Sequence, residues 1–366
     1  MQKNILVIFG GASNENEISV ITGTMAANVL KGAGYSVIPL YIAQNGKFYS
    51  DEKLADISGF SGDKYSSFPR AIVAYGGVYA LNKRGIPKKF TPVDIALNCC
   101  HGGWGEGGGV CGLCAANGIP LASAGLFESS AFMDKYLTKI VLAGLGVKTA
   151  EYSYIKSMEE LGCAVNMPQF PVIVKPVTLG SSIGVEKAEN EEQLKDAVQT
   201  ALMLDGAVIV EKYLSDRREI NCAAYLADGE VVTSECEEPL SQSAVYSYEE
   251  KYRGGVKSVF PADISVELSR KIRDITGSTY KKLNMRGIVR FDFILSCGEI
   301  YLSEINTVPG SLSYYLLSSG FKNFAPVLQK VIEQSLADAA AAKSKKLIRT
   351  GVLENIPSNA CKTGRK

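Results

Sequence analysis

RFDFILSCGEIYLSEINTVPG, residues 290–310, holds two apolar runs on either side of Ser296-Cys297-Gly298. Alternation with period two makes each run a strand, and a three-residue loop with glycine at its left-handed position joins them as a hairpin. That loop pairs residue 292 with 302 and residue 290 with 304. Arg290, Asp292, Glu304 and Asn306 then project from one face, while Val289, Phe291, Phe293, Leu295 and Ile305 mark the other as core. Two carboxylates and an amide form a hard oxygen site suited to Mg²⁺, which takes few protein oxygens and completes its shell with phosphate and water. Arg290, opposite Glu304, would orient that carboxylate or reach a developing oxyanion. Thr307-Val308-Pro309-Gly310 adds a turn whose backbone N–H groups can meet a substrate. A solvated sheet face with a cross-strand ion pair fits the same spacing, so the hairpin by itself leaves both readings open.

Upstream of the hairpin the chain changes character twice. Ile5–Phe9, Ser36–Ile42 and Val93–Asn98 read as short buried strands, with helices over Glu17–Lys31 and Gly109–Asn117. Such alternation predicts a parallel sheet with helices on its faces, and a ligand site at the carboxyl ends of its strands, at Gly10-Gly11 and His101-Gly102-Gly103. From Ala131 a helix runs to Gly144. Strands over Pro171–Pro176, from Ser182, and over Ala207–Leu214 enclose a helix over Glu191–Leu204. Longer strands follow over Glu219–Leu226 and Val231–Glu235, turning at Asp228-Gly229, then helices over Val266–Leu283 and Phe324–Ala341. The expected divisions are 1–128, 129–212 and 213–342, with a loose basic tail over 343–366.

Composition narrows the class. A chain of 366 residues is too long for one ordinary core, and 46% hydrophobic with 21% charged residues describes a soluble globular protein. Its net charge of +1 supplies no field for nucleic acid, and no apolar run is long enough for a membrane span. Without a signal-peptide pattern the expected location is the cytoplasm. The nine cysteines include a lone Cys111–Cys114 pair with no second ligand pair, and they read as reduced thiols.

Several further segments suit an anionic substrate. Lys175 ends a buried strand, and Gly180-Ser181-Ser182-Ile183-Gly184 is a small-residue loop able to close over phosphates through N–H groups and hydroxyls. Lys135 is a second phosphate candidate. Glu211-Lys212-Tyr213-Leu214 ends a strand where Glu211 and the backbone beyond it can meet an adenine edge. Lys251 and Tyr252 sit in a polar, Tyr-rich stretch, 241–256, of the kind that is either disordered or a water-excluding lid. Taken singly, each of these also fits an ordinary surface or strand end.

Their order along residues 3–340 resembles the D-alanine–D-alanine ligases of the ATP-grasp superfamily. Gly10 to Ser19 is similar to the family's opening substrate motif, and His101 to Gly108 to its second. Met133-Asp134-Lys135, Lys175-Pro176, Gly180 to Gly184, Glu211 to Leu214, Lys251-Tyr252, Arg290-Phe291-Asp292 and Glu304 to Gly310 complete the set. The resemblance implies an α/β ATP-grasp fold of three domains: a Rossmann-like parallel sheet, a small central α+β unit and an antiparallel-sheet catalytic unit. It implies ATP as substrate, with Lys135, Lys175 and Ser182 near phosphates, Glu211, Lys212, Tyr213 and Leu214 at adenine, Glu219 at the ribose, and Lys251 reaching the γ-phosphate. Asp292, Glu304 and Asn306 would hold two Mg²⁺ ions, with Mn²⁺ as substitute. Glu15 would bind the first amino acid's ammonium, joined by Ser181 and Tyr252, with His101 near that substrate's carboxylate. Arg290 and the Gly310 N–H would stabilise the tetrahedral oxyanion, and Tyr315 and Leu316 would face the second substrate.

The implied reaction forms D-alanyl phosphate and then a dipeptide for peptidoglycan precursor synthesis, releasing ADP and phosphate, in a homodimer. Two positions depart from the pattern. Gly107 stands where the family usually has aspartate, and Tyr315 where a small hydroxyl residue commonly holds the second substrate's carboxylate. D-Serine, D-lactate or another amino acid therefore stays open as second substrate, as does a catalytically silent nucleotide-binding relative.

Overall fold

The computed structural model describes residues 2–164, 166–240, 258–344, 348 and 350–352. Lys251, Tyr252 and the rest of 241–257 lie outside the described residues, as does most of the basic tail.

The first sheet contains β1 (Asn4–Gly10), β2 (Ser36–Ile42), β3 (Phe48–Tyr49), β4 (Arg70–Ala74), β5 (Gly77–Leu81), β6 (Pro87–Pro92) and β7 (Ile95–Asn98). They lie in the order β6-β5-β4-β3-β2-β1-β7. The expected parallel pairing holds for β2-β1-β7. The other four strands form an antiparallel meander, so the sheet is mixed. The meander escapes a sequence reading because β3 has two residues and β6, Pro-Lys-Lys-Phe-Thr-Pro, is mostly exposed, with no apolar alternation to announce it. α1 (Asn16–Gly32) crosses from β1 to β2, and α2 (Val110–Ala116) follows β7. Ile5 to Phe9 are fully buried because both faces of β1 are covered.

A second sheet takes β8 (Tyr152–Ile155), β9 (Val172–Pro176), β10 (Glu186–Ala188) and β11 (Val208–Lys212) in the order β10-β9-β11-β8, all antiparallel. The strand expected from Ser182 begins only at Glu186, since Ser181, Ser182 and Gly184 have positive φ and hold a turn. The single helix expected from Ala131 is two, α3 (Leu126–Met133) and α4 (Lys135–Gly144). Asp134 between them is extended (φ −98°, ψ 113°) and caps α4 by accepting the Leu137 N–H at 2.8 Å. α5 (Met158–Cys163) precedes β9, and α6 (Glu191–Leu204) buries Leu194, Ala197, Val198 and Ala201 against this sheet.

The third sheet holds β12 (Arg218–Ala227) and β13 (Glu230–Thr233), then β16 (Val289–Ser296) and β17 (Glu299–Asn306), in the order β13-β12-β16-β17. Between them, β14 (Glu238–Pro239) pairs with β15 (Ser258–Val259), and α7 (Val266–Lys282) covers the apolar face. α8 (Tyr314–Leu317) and α9 (Ala325–Lys343) end the described chain. α9 buries Val327, Leu328, Val331 and Ile332 in the cluster that also holds Ala26, Ala27 and Leu30 of α1 and Tyr225 of β12. The first and third sheets therefore share one core.

The hairpin itself corrects the expected register. Its turn is the two residues Cys297 and Gly298, with φ of 50° and 77°, between the paired Ser296 and Glu299. Positive φ at both positions matches the twist of the flanking strands. Phe293 pairs with Leu302, but Asp292 pairs with Glu304 and Arg290 with Asn306, so Ser303 is a bulge. Leu302 thereby enters the core at 1% exposure while Glu304 stays on the polar face. The four polar side chains do share a face, through a pairing different from the expected one.

Gly23 fixes how closely α1 lies on β1, because a Cβ there would sit 2.2 Å from Phe9 Cγ. Alanine normally stabilises an exposed helix position by about 1 kcal/mol. Here Gly23→Ala is expected to lose roughly 1–3 kcal/mol to overpacking, read as a lower urea midpoint, and a raised midpoint would contradict this contact.

Candidate active site

A cavity of about 540 Å³ lies between the polar face of the third sheet, the start of α1, the α3–α4 junction and the Gly180–Ser181 turn. Arg290, Asp292, Glu304 and Asn306 line it, together with Glu219 and Asn221 from β12. Asn221 pairs with Asp292 and Ala223 with Arg290 across β12 and β16, which places all of them on one pleated face.

Three hydrogen bonds hold Asp292 there. Arg290 grips both its oxygens, Nε to Oδ1 at 2.7 Å and Nη2 to Oδ2 at 2.8 Å, and Asn306 Nδ2 donates to Oδ2 at 2.9 Å. Burial opposes the Arg290 charge, but Asp292 outweighs it and lifts the guanidinium's pKa further above its ordinary value. Tyr315 touches the third nitrogen, with Nη1 donating to its hydroxyl at 3.2 Å. Burial raises the Tyr315 phenol pKa, against the pull of Arg290. No cluster of three or more His, Cys, Asp or Glu able to hold a metal occurs among the described residues; the candidate set is two carboxylates and an amide.

The opposite end is built on α1 and the loop after β7. Ser181 Oγ donates to Glu15 Oε1. Gly102 and Gly180 flank that carboxylate so closely that a Cβ would stand 2.6 Å and 2.8 Å from Glu15 Oε2. His101 is buried, and its Nε2 lies 2.8 Å from Thr22 Oγ1. Burial holds its pKa down to about 4, and the Arg290 charge adds to this. Glu106 accepts the Gly102 N–H at 2.7 Å, and desolvation with the nearby Glu15 charge lifts its pKa to about 8.

Past Gly310 the backbone takes an unusual course. Ser311, Leu312 and Ser313 have φ of 49°, 50° and 50°, a left-handed turn of three non-glycine residues. Each such residue costs roughly 1–2 kcal/mol relative to the right-handed form. Thr22 Oγ1 accepts the Ser311 N–H at 3.0 Å and ties this turn to α1.

The lysines divide into two sets. Lys135 lines the cavity, and its Nζ donates to Leu179 O at 2.6 Å. Lys175 instead pairs with Glu211 Oε2 at 2.7 Å, while buried Lys139 takes Oε1 at 3.1 Å. Burial disfavours the Glu211 charge, yet the two lysines prevail and hold its pKa down to about 2. Lys175, Ser182, Glu211, Lys212, Tyr213 and Leu214 are not among the cavity's lining residues. Tyr213 sits beneath Lys187, 4.6 Å from ring centre to Nζ, and Leu316 is buried at 5% exposure in α8. Thus Glu15, His101, Lys135, Ser181, Glu219, Arg290, Asp292, Glu304, Asn306, Gly310 and Tyr315 meet around one space, and the adenine-side candidates stand apart from it.

Thr22, Lys139 and Glu237 had no sequence signal as site residues. Thr22 and Lys139 read as ordinary helix positions; only their burial, at 0% and 2%, sets them apart. Glu237 faces the cavity at 6% exposure, with Asn221 Nδ2 donating to it at 3.2 Å.

A neutral, buried His101 makes a signed prediction. Its folded pKa lies below the unfolded value near 6.5, so the stability it contributes is present above pH 6.5 and is lost as pH falls toward 4. Between pH 7 and 4 the wild type should lose up to roughly 3 kcal/mol more than His101→Asn in urea unfolding. A difference between the two that does not change with pH would contradict the assignment.

Comparison with known proteins follows the same lines. Residues 4–124 match the family model of the D-Ala–D-Ala ligase N-terminus and residues 141–336 that of its C-terminus. A D-alanine–D-alanine ligase of Thermosipho melanesiensis is 34% identical over 94% of this chain and 96% of its own. Among solved structures, the D-alanine–D-alanine ligase of Helicobacter pylori superposes with a TM-score of 0.75 at 27% identity, covering 93% of this chain and 98% of that one. The VanG D-Ala:D-Ser ligase of Enterococcus faecalis gives 0.76 at 26%, covering 92% of this chain and 100% of that one. Family models over most of its length, and a full-length relative at this identity, show that the chain belongs to the D-alanine–D-alanine ligase family of ATP-dependent, ATP-grasp ligases.

Proposed function

We propose that this protein joins two D-alanine molecules with ATP, through a D-alanyl phosphate, for cell-wall precursor synthesis. The pairing of Asp292 with Glu304 on a polar face shared with Arg290, opposite Lys135 and Glu15 in one cavity, carries the reading. A carboxylate is a poor acylating agent. Its oxygen attacks the γ-phosphorus of ATP and ADP leaves; the second amine then attacks the acyl carbon, and phosphate leaves with the electrons of the C–O bond. Glu15 would hold the first ammonium, with Ser181 as its partner. Arg290 and the Gly310 N–H would take the oxyanion formed when the amine adds.

Mg²⁺, or Mn²⁺ in its place, would be held by Asp292, Glu304 and Asn306. The donor set fits: two carboxylates supply hard oxygens, and Asn306, with its nitrogen on Asp292, has its carbonyl oxygen left to give. The ion would draw negative charge from the phosphates. Lys135, Lys175 and Ser182 remain the proposed phosphate contacts, Glu211 to Leu214 the adenine side, and Glu219 the ribose. Lys251 and Tyr252 keep the γ-phosphate and Glu15 roles implied by the resemblance. The same reading divides the chain at 128, 212 and 342, a division supported by the three larger sheets, whose strands fall one sheet to each segment. It also includes a cytoplasmic homodimer; no helix among the described residues is long and apolar enough to cross a membrane.

Tyr315 favours one second reading. Its hydroxyl meets Arg290 where a smaller side chain would leave room, and Leu316 beside it would complete the second-substrate contact. D-Serine is therefore the acceptor to test against D-alanine. Phosphate release should require ATP and D-alanine, and be strongest when D-alanine fills both places. Glu304→Ala should lower kcat roughly 100-fold or more, the scale of losing a preorganised electrostatic group. No release with any D-amino acid, or a variant within a few-fold of wild type, would overturn the reading.

A further inference from the structure

The left-handed turn after Gly310 needs something to hold it. A tether lies directly after Gly310, where Thr22 accepts the Ser311 N–H at 3.0 Å. Thr22 Oγ1 also lies 2.8 Å from His101 Nε2, so the same hydroxyl joins the turn to the buried imidazole. One hydroxyl has an O–H and two lone pairs, enough to serve the imidazole and the amide together. Thr22 is fully buried in α1, so water cannot replace it. The strained turn marks a backbone whose position the surroundings over-determine, and such strain concentrates where preorganisation matters.

We infer that Thr22 is a positioning residue: braced by His101, it holds the Ser311 N–H and so fixes the adjoining Gly310 backbone N–H at the point where the oxyanion forms. It touches neither substrate nor metal in this account. Helix α1 carries Thr22 one side and Glu15 just before its first turn, so one rigid element sets both the first substrate's ammonium post and the oxyanion donor. The catalytic half of this inference rests on the ligase reading; the tether itself does not.

Thr22→Val keeps the shape and removes the hydroxyl. Misplacing an oriented donor by a fraction of an ångström is expected to cost roughly 10- to 100-fold in kcat for ATP- and D-alanine-dependent phosphate release, with KM for ATP within twofold. Thr22→Ser should restore turnover to within about threefold. Two readouts need no turnover. The Ser311 amide should exchange at least about tenfold faster in Thr22→Val. His101 is the only histidine in the chain, so its imidazole nitrogen signals are unambiguous, and they should shift in Thr22→Val but not in Thr22→Ser. If Thr22→Val does not fold, Thr22→Ala against Thr22→Ser gives the same comparison. Turnover within twofold of wild type, unchanged Ser311 exchange, or a loss that serine does not recover would each overturn the proposal. A wild type without D-amino-acid-dependent release would sink the ligase reading, while exchange and imidazole signals would still decide the tether.

Discussion

One extra residue, Ser303, sets the chemistry of the third sheet. Without that bulge the period-two alternation would put Ser303 opposite Asp292 and Glu304 opposite Phe291, turning the carboxylate toward the core face. The two-residue turn pairs Leu302 with Phe293 in the core, and the bulge sets Glu304 opposite Asp292 on the other face. A buried apolar face and an oxygen-rich polar face then coexist on the same two strands. The core face is held by Phe291, Phe293, Leu302 and Ile305 against α7, so the polar groups are presented by a rigid support.

Burial does different work at the two ends of the cavity. At the α1 end it removes charge: His101 stays neutral with its pKa held down to about 4, and Glu106 is lifted to about 8 beside Glu15. At the sheet end charge is kept, because Arg290 and Asp292 compensate one another through two hydrogen bonds. Glu211 shows the same compensation in the second sheet, between Lys139 and Lys175. An ion pair broken at such a site leaves a bare buried charge, which is far more costly than the pair is stabilising. Lys175 can therefore serve a phosphate only if Lys139 continues to balance Glu211.

Much of this was legible in the chain, and the failures are instructive. Strands such as Ile5–Phe9 and the Glu191–Leu204 helix announce themselves by strong apolar patterns, and the polar face of the hairpin follows from alternation alone. The register does not, because Ser296-Cys297-Gly298 fits both a three-residue loop and the two-residue turn observed, and nothing local marks Ser303 as a bulge. The break at Asp134 was hidden inside a continuous helical pattern, although aspartate followed by a helix is a capping signal. The meander of β3 to β6 lacked periodicity altogether. Among the candidate site residues, charge or glycine turns mark most in the sequence, whereas Thr22 and Lys139 are set apart only by long-range burial and bonding that a linear reading does not contain.

The central claim is that this cavity activates a carboxylate by phosphorylating it. D-Alanine labelled with ¹⁸O in both carboxylate oxygens tests that most directly, with ATP at natural abundance and mass analysis of the released phosphate. Attack on the γ-phosphorus makes one labelled oxygen the bridge, and loss of phosphate on amine addition carries it away. The account predicts one ¹⁸O in each phosphate released. Phosphate without ¹⁸O, formed while dipeptide accumulates, would contradict it.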